Sequence, residues 1–133
     1  MALQLSVAAR NAALDALETA IGVSAVLKIR TLTVPANCAA ADVGTVLASL
    51  SLPSDWMSAA ASGAKAKLGT WSDASADNTG TAAHFRVYRS DGVTCDMQGT
   101  VGLSGSGADL ILDDVTVVAA QVVTVTGFTI SAA

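Results

Sequence analysis

The spacing of apolar residues changes at Gly22, and this change limits the chain to one helix followed by strands. Before Gly22 the large apolar residues are spaced by three and four, with Arg10 filling one gap, at Leu3, Val7, Leu14, Leu17 and Ile21. After Gly22 the spacing becomes two. We therefore predict one helix over residues 4–21 that ends at the glycine, where a positive φ closes many helices.

The remainder of the chain alternates in short runs separated by turn residues, which is typical of strands. The predicted strands cover residues 25–30, 45–52, 65–72, 81–89, 93–103, 108–113 and 121–131, with a connection over 114–120 that pairs weakly. Asp91-Gly92 predicts a type I′ hairpin turn, and Gly127 predicts a bulge in the last strand.

One helix followed by closely spaced short strands predicts a mainly β fold. The expected architecture is an antiparallel, jelly-roll-like β-sandwich of about seven to eight strands with one N-terminal α-helix. The chain forms a single domain in this interpretation, with residues 1–22 as a helical arm and residues 23–133 as the sandwich.

Composition narrows the range of partners. Charged residues make up only 14% of the chain and the net charge is −4, whereas affinity for nucleic acid depends on clustered Lys and Arg. No apolar run approaches the about 18 residues that a membrane span needs. The first residues lack a basic start and are interrupted by charges, unlike a secretory signal. We expect neither a nucleic acid nor a membrane as partner.

Two cysteines, Cys38 and Cys95, are the only thiols. Without an export signal the sequence favours free, partly buried thiols in a reducing cytosol, and it leaves a single disulfide as the alternative.

The residues that could perform chemistry are few. His84 is the only histidine, and its alternation with Arg86 and Tyr88 predicts a position on the outer face of a strand. No nucleophile elbow accompanies it, and two cysteines with one histidine are too few for a zinc site. Residues 102–107 predict a flexible hairpin tip rather than a phosphate loop, because no helix is expected to follow them. We predict no catalytic residue, no metal and no cofactor.

The N-terminal helix carries a second stripe that consists of alanine, at Ala9, Ala13, Ala16 and Ala20. Alanine lets another surface approach closely, so the helix either packs on its own sheet or docks against a neighbouring subunit. Both interpretations remain open. The candidate interface residues are Leu3, Val7, Leu14, Leu17, Ala9, Ala13 and Ala16.

Several segments, in order, resemble a family of small virion proteins of tailed bacteriophages, described as minor capsid, head-decoration or structural proteins. The segments are ALQLSVAARNAALDAL, VLKIRT, TGTAAHFRVYRSDG, QGTVGLSGSGADL and QVVTVTGFTI. The loop over residues 35–42, with its cysteine, is unusual for this family.

The resemblance implies a non-enzymatic protein that binds and stabilises the phage major capsid protein. It implies assembly in the bacterial cytoplasm and a place on the outer surface of the head, and capsid symmetry suggests a homotrimer. A tail, baseplate or neck module is the first alternative. The second is a carbohydrate-binding β-sandwich that uses Trp56, Trp71 and Tyr88 as a stacking platform.

Overall fold

The computed structural model describes residues 3–132, which form one helix and ten strands. The helix is α1 (Val7–Ile21). The strands are β1 (Val26–Arg30), β2 (Val46–Ser51), β3 (Ala64–Ala66), β4 (Ser72–Asp73), β5 (Gly80–Thr81), β6 (His84–Tyr88), β7 (Cys95–Gly102), β8 (Leu110–Leu112), β9 (Thr116–Val117) and β10 (Val123–Ser131).

The helix α1 has a defined cap at each end. The Ser6 hydroxyl accepts a hydrogen bond from Ala9 N at 3.1 Å, which satisfies one of the free N–H groups of the first turn. Gly22 has a φ of 84° and donates its N–H to the carbonyl of Glu18 at 2.8 Å. The change of period at Gly22 therefore marks the end of the helix, as predicted.

Most strands join one curled sheet with the order β2-β1-β6-β7-β8-β10-β3, and β4 also pairs with β10. The expectation of a purely antiparallel fold is wrong, because β7 and β8 run parallel, with Val101 opposite Leu110. Thr100 and Asp109 connect the two strands next to this pairing, since each donates its backbone N–H to the other's side chain, at 3.0 and 3.1 Å. The sheet is therefore mixed.

Two further predictions need correction. The strand predicted over residues 65–72 divides into β3 and β4, with Gly69 between them at a φ of 75°. In the hairpin between β6 and β7, Gly92 has a positive φ but Asp91 does not, whereas a type I′ turn requires two such residues. The Asp91 carboxylate instead accepts hydrogen bonds from the N–H groups of Val93 and Thr94, both at 2.8 Å.

Other predictions are confirmed. The connection over 114–120 contains β9, which pairs with β5 as a separate two-stranded sheet. The register of β10 against β8 shifts between Val125 and Gly127, where a bulge was predicted.

The core lies inside the curl of the sheet. Aromatic rings cross it in a chain from Trp56 to Trp71, Phe128 and Phe85, with centroid distances of 6.0, 5.6 and 5.6 Å. Phe85 belongs to β6 and Phe128 to β10, so these contacts join separated parts of the strand order. Burial of such large apolar rings is the main stabilisation available to the fold.

Candidate interaction surface

The face of α1 that packs on the protein combines two buried apolar residues, Leu14 and Ile21, with a row of polar side chains. Asn11, Asp15 and Glu18 follow a helical spacing of four and three, and their side-chain oxygens accept hydrogen bonds from backbone N–H groups of residues 57–63. These bonds are 2.9 to 3.1 Å long. Residues 57–63 have little strand pairing of their own, so the helix satisfies backbone donors that would otherwise lack partners.

Lys65 connects the helix to the sheet. Its side chain is 2% exposed, and its ammonium group lies 2.7 Å from Asp15 Oδ1 and 3.0 Å from Glu18 Oε1. Burial alone would lower the pKa of Lys65, but hydrogen bonds to both carboxylates raise it above its usual value. The hydrogen bond from Lys65 in turn lowers the pKa of Asp15. The pair of carboxylates thus holds a buried cation under the helix.

All charged residues of α1 are directed to the protein body. Arg10 joins Asp15 and Glu18 on this side, since its guanidinium group lies over Gly63, where a Cβ would come within 3.2 Å of Nη1. The opposite face consists mainly of alanines, with Thr19 among them. The exposed alanines of the helix are Ala8, Ala9, Ala12, Ala13, Ala16 and Ala20. The solvent face of α1 is therefore an alanine surface without a charge; we call these residues the alanine face.

The candidate interface residues divide between the two faces. Ala9, Ala13 and Ala16 lie on the alanine face, whereas Leu14 is 3% exposed and packs against the protein itself. The other predicted residues, Leu3, Val7 and Leu17, are exposed. The apolar stripe that predicted the helix therefore contributes Leu14 and Ile21 to the docking face, and polar side chains at helical spacing lie beside them.

The face of β1, β6 and β7 beside the 35–42 loop is also unlike its prediction. His84 is 0% exposed and Arg86 is 2% exposed, so the expected outer-face position of these residues is wrong. The reason is that residues 35–42 bind Arg86 on this face of the sheet, while the Leu32 carbonyl, just before this loop, lies against His84. Gln98 donates to the Pro35 carbonyl at 2.7 Å, and Arg86 Nη2 donates to the carbonyls of Asn37 and Cys38 at 3.0 and 3.1 Å. We call residues 35–42 the strap.

Asp42 fastens the end of the strap. Its carboxylate accepts hydrogen bonds from Arg30, Arg86 and Tyr88, at 3.1, 2.5 and 2.6 Å. Burial would raise the pKa of Asp42, but these donors lower it below its usual value. Burial raises the pKa of Tyr88, and the bond to Asp42 acts in the same direction. The carboxylate is therefore ionised, and from a side chain that is 42% exposed it holds two buried arginines and a buried phenol.

His84 is held at one nitrogen only. Its Nδ1 lies 2.7 Å from the Leu32 carbonyl and acts as the donor of this bond, while the buried Nε2 has no hydrogen-bond partner. Burial lowers the pKa of His84, and the charges of Arg30 and Arg86 add to this effect. The imidazole is therefore neutral near pH 7.

Trp56, Trp71 and Tyr88 do not form the stacking platform that carbohydrate binding would require. Each of these side chains is buried, at 1%, 0% and 1% exposure. Trp56 and Trp71 fill the core, and Tyr88 lies under the strap. This prediction is wrong because the rings supply packing rather than surface.

Comparisons with protein families, with curated proteins and with solved structures give no significant match. Within residues 3–132 no group of three or more His, Cys, Asp or Glu side chains could hold a metal ion. The same part of the chain contains no helix that is long and apolar enough to cross a membrane.

Proposed function

We propose that this protein is a non-enzymatic structural protein of a bacteriophage virion, a minor capsid or decoration protein that binds and stabilises the major capsid shell. The observation that carries the proposal is the alanine face of α1. A helix that turns every charged side chain inward and a row of alanines outward presents a surface suited to close packing. This property agrees with the family that the sequence resembles.

The alanine face fits a protein partner for a physical reason. Small side chains allow the backbone of another element to approach closely, and they lose little side-chain entropy when they are covered. Each contact is weak, but many copies on a symmetric shell add their contacts through multivalency. The net charge of −4 favours a place on the outer surface of the head, away from packaged DNA.

The proposal includes the arrangement of the sheet and of the subunits. We propose that the curled sheet acts as the two layers of a sandwich, since Ser49 N of β2 donates to Asp73 Oδ2 of β4 at 3.0 Å. This bond joins one end of the strand order to a strand on β10, near the other end. A homotrimer is the assembly that suits the symmetry of a capsid.

A location in the tail, baseplate or neck would use the same surface. Copy number separates the two locations, because a shell protein is present in hundreds of copies and a neck or tail-tip protein in about a dozen or fewer. Quantitative mass spectrometry of purified particles measures this number. Absence of the protein from the particles would overturn the proposal.

A substitution tests the surface itself. Ala13→Glu places a charge in the middle of the alanine face, and we expect at least about tenfold weaker binding to capsid shells. Ala74→Glu is the matched control, since Ala74 is an exposed alanine in the turn after β4. The thermal midpoint of both variants should stay near that of the parent protein. Equal binding of the two variants would contradict the role of the alanine face.

A further inference from the structure

The strap brings the two cysteines of the chain to the same place. Cys95 is opposite Tyr88 in the register of β7 and β6, so its side chain lies on the face that the strap covers. Cys38 lies in the strap, and its carbonyl accepts a hydrogen bond from Arg86 at 3.1 Å. Arg86 binds both the Cys38 carbonyl and Gln98 of β7, so Cys38 lies over the strand that carries Cys95. Residues far apart in the sequence thus meet in a preformed pair.

The position of this pair is held from several sides. Gln98 of β7 binds the Pro35 carbonyl at the start of the strap, and Asp42 binds Arg30, Arg86 and Tyr88 at its end. The Cys95 thiol also donates to the Met97 carbonyl at 3.4 Å. Both cysteines are partly exposed rather than sealed in the core. A small reagent can therefore reach them while the strap remains bound.

We propose that Cys38 and Cys95 are a modification site for low-molecular-weight disulfides, which convert the two thiols into a disulfide that fixes the strap to β7. The proposal does not depend on the function proposed above. Its physical basis is proximity, since a mixed disulfide formed at one cysteine is attacked by the thiolate held beside it in preference to a thiolate of a second molecule.

The reaction proceeds by two exchanges. The Cys38 thiolate attacks one sulfur of oxidised glutathione, forms a mixed disulfide and releases one glutathione thiolate. The Cys95 thiol then loses its proton, and its thiolate attacks the Cys38 sulfur and releases the second glutathione. Two thiols of the protein are oxidised and one small disulfide is reduced to two thiols, so atoms and electrons balance.

We assign the first attack to Cys38 because the Cys95 thiol is engaged with the Met97 carbonyl at 3.4 Å, and burial raises the pKa of Cys95 to about 11. Arg86 opposes this effect only in part. The mixed disulfide at Cys38 places the attacked sulfur beside Cys95. The second exchange is therefore intramolecular.

The experiment uses the native protein with oxidised glutathione, followed by mass spectrometry and non-reducing peptide mapping. We expect a loss of two hydrogens and a cross-linked peptide that joins Cys38 and Cys95. The same chain unfolded in guanidinium is the control, and closure should be at least about 100-fold slower there, because the strap no longer holds the thiols together. Stable glutathione adducts, cross-linked dimers, unreacted thiols or equal rates in both states would overturn the proposal.

Two variants separate the roles of the cysteines. Cys95→Ser should accumulate one stable glutathione adduct at Cys38, whereas Cys38→Ser should react much more slowly at Cys95. The oxidised parent protein should unfold at a midpoint higher by about 5–15 °C, because the bridge restricts the unfolded chain over a long loop. Reduction should reverse this shift. An adduct that forms equally fast on both variants would contradict the assigned order of attack.

Discussion

The alanine face of α1 and the sheet face under the strap reverse the usual distribution of residues. The exposed side of the helix consists of alanines, and its charged residues lie against the protein. The covered side of β1 and β6 contains Arg30, Arg86 and His84, all buried. In both regions the polar side chains form hydrogen bonds with backbone groups of an irregular segment. Alternation and amphipathicity alone therefore do not tell which face is exposed.

The two regions differ in how their segment is held. Under the helix, acidic and amide side chains of α1 accept bonds from the backbone N–H groups of residues 57–63. Under the strap, Arg86 and Gln98 donate bonds to backbone carbonyls of residues 35–38. A loop without strand partners can thus be fixed through either its donors or its acceptors.

Loss of Arg86 should have the largest effect on stability. Arg86→Met removes the donors to Asp42, Gln98 and two carbonyls of the strap, and we expect a loss of about 3 kcal/mol in the free energy of unfolding. Urea unfolding measures it. Arg89→Met is the control, since its ion pair with Asp96 is exposed, and it should change stability little. Equal effects of both variants would show that the strap contributes nothing.

Substitution of Lys65, the buried cation under the helix, should lower the free energy of unfolding by less than substitution of Arg86. Lys65→Met leaves Asp15 and Glu18 partly solvated, so we expect a loss of about 2 kcal/mol together with faster proteolysis near α1. Limited proteolysis and urea unfolding measure the two effects. Lys67→Met, on a half-buried lysine that donates to the Gly69 carbonyl and lies 6.0 Å from the centroid of the Trp71 ring, should have a smaller effect. A Lys65 variant as stable as this control would contradict the anchoring role.

Substitution of the N-cap residue of α1 tests the stability of the helix without changing a residue of the alanine face or of the strap-covered face. Ser6→Ala removes the acceptor for Ala9 N, and we expect a loss of about 1 kcal/mol. Thermal unfolding followed by circular dichroism measures it. Ser6→Asp should restore most of the loss, because aspartate caps helices equally well. Equal instability of Ser6→Ala and Ser6→Asp would contradict the capping role of Ser6.

Protonation of His84 at acid pH should lower the stability of the protein less than any of the substitutions above. The pKa of His84 is lowered in the folded protein, so below its ordinary value near 6.5 the unfolded chain binds a proton that the folded chain does not. Stability should therefore fall as the pH decreases from 7 to 5, and it should be constant above 7 for this group. We expect a decrease of only a few degrees in the thermal midpoint.

His84→Gln provides the comparison, since glutamine retains a donor for the Leu32 carbonyl but does not titrate in this range. Its midpoint should be nearly constant between pH 5 and 7. Proton NMR of the parent protein follows the imidazole directly, because His84 is the only histidine. An imidazole that titrates at or above 6.5 would show that the residue is not buried in its neutral form.

The local sequence pattern was sufficient to predict the helix and several of the strands. The end of α1 at Gly22 and the β1, β2 and β6 segments follow from period and turn chemistry, which depend on neighbouring residues only. The parallel pairing of β7 and β8 was not predictable, because local alternation does not show the two hydrogen bonds between Thr100 and Asp109 that accompany it. The polar docking face of α1 left a signal in the spacing of Asn11, Asp15 and Glu18, although an apolar stripe beside it was the stronger pattern.

The sequence by itself determined one helix, a β-rich remainder and the break between them, since these properties depend on residues close together in the chain. The tertiary structure decided which faces are covered. Arg86 is buried because a distant loop binds over it, and the alanines of α1 are exposed because the face with Leu14, Ile21 and the polar side chains turns to the protein. Whether a side chain is buried depends on which distant segment packs against it. The alternation of residues within one strand or helix does not specify that segment.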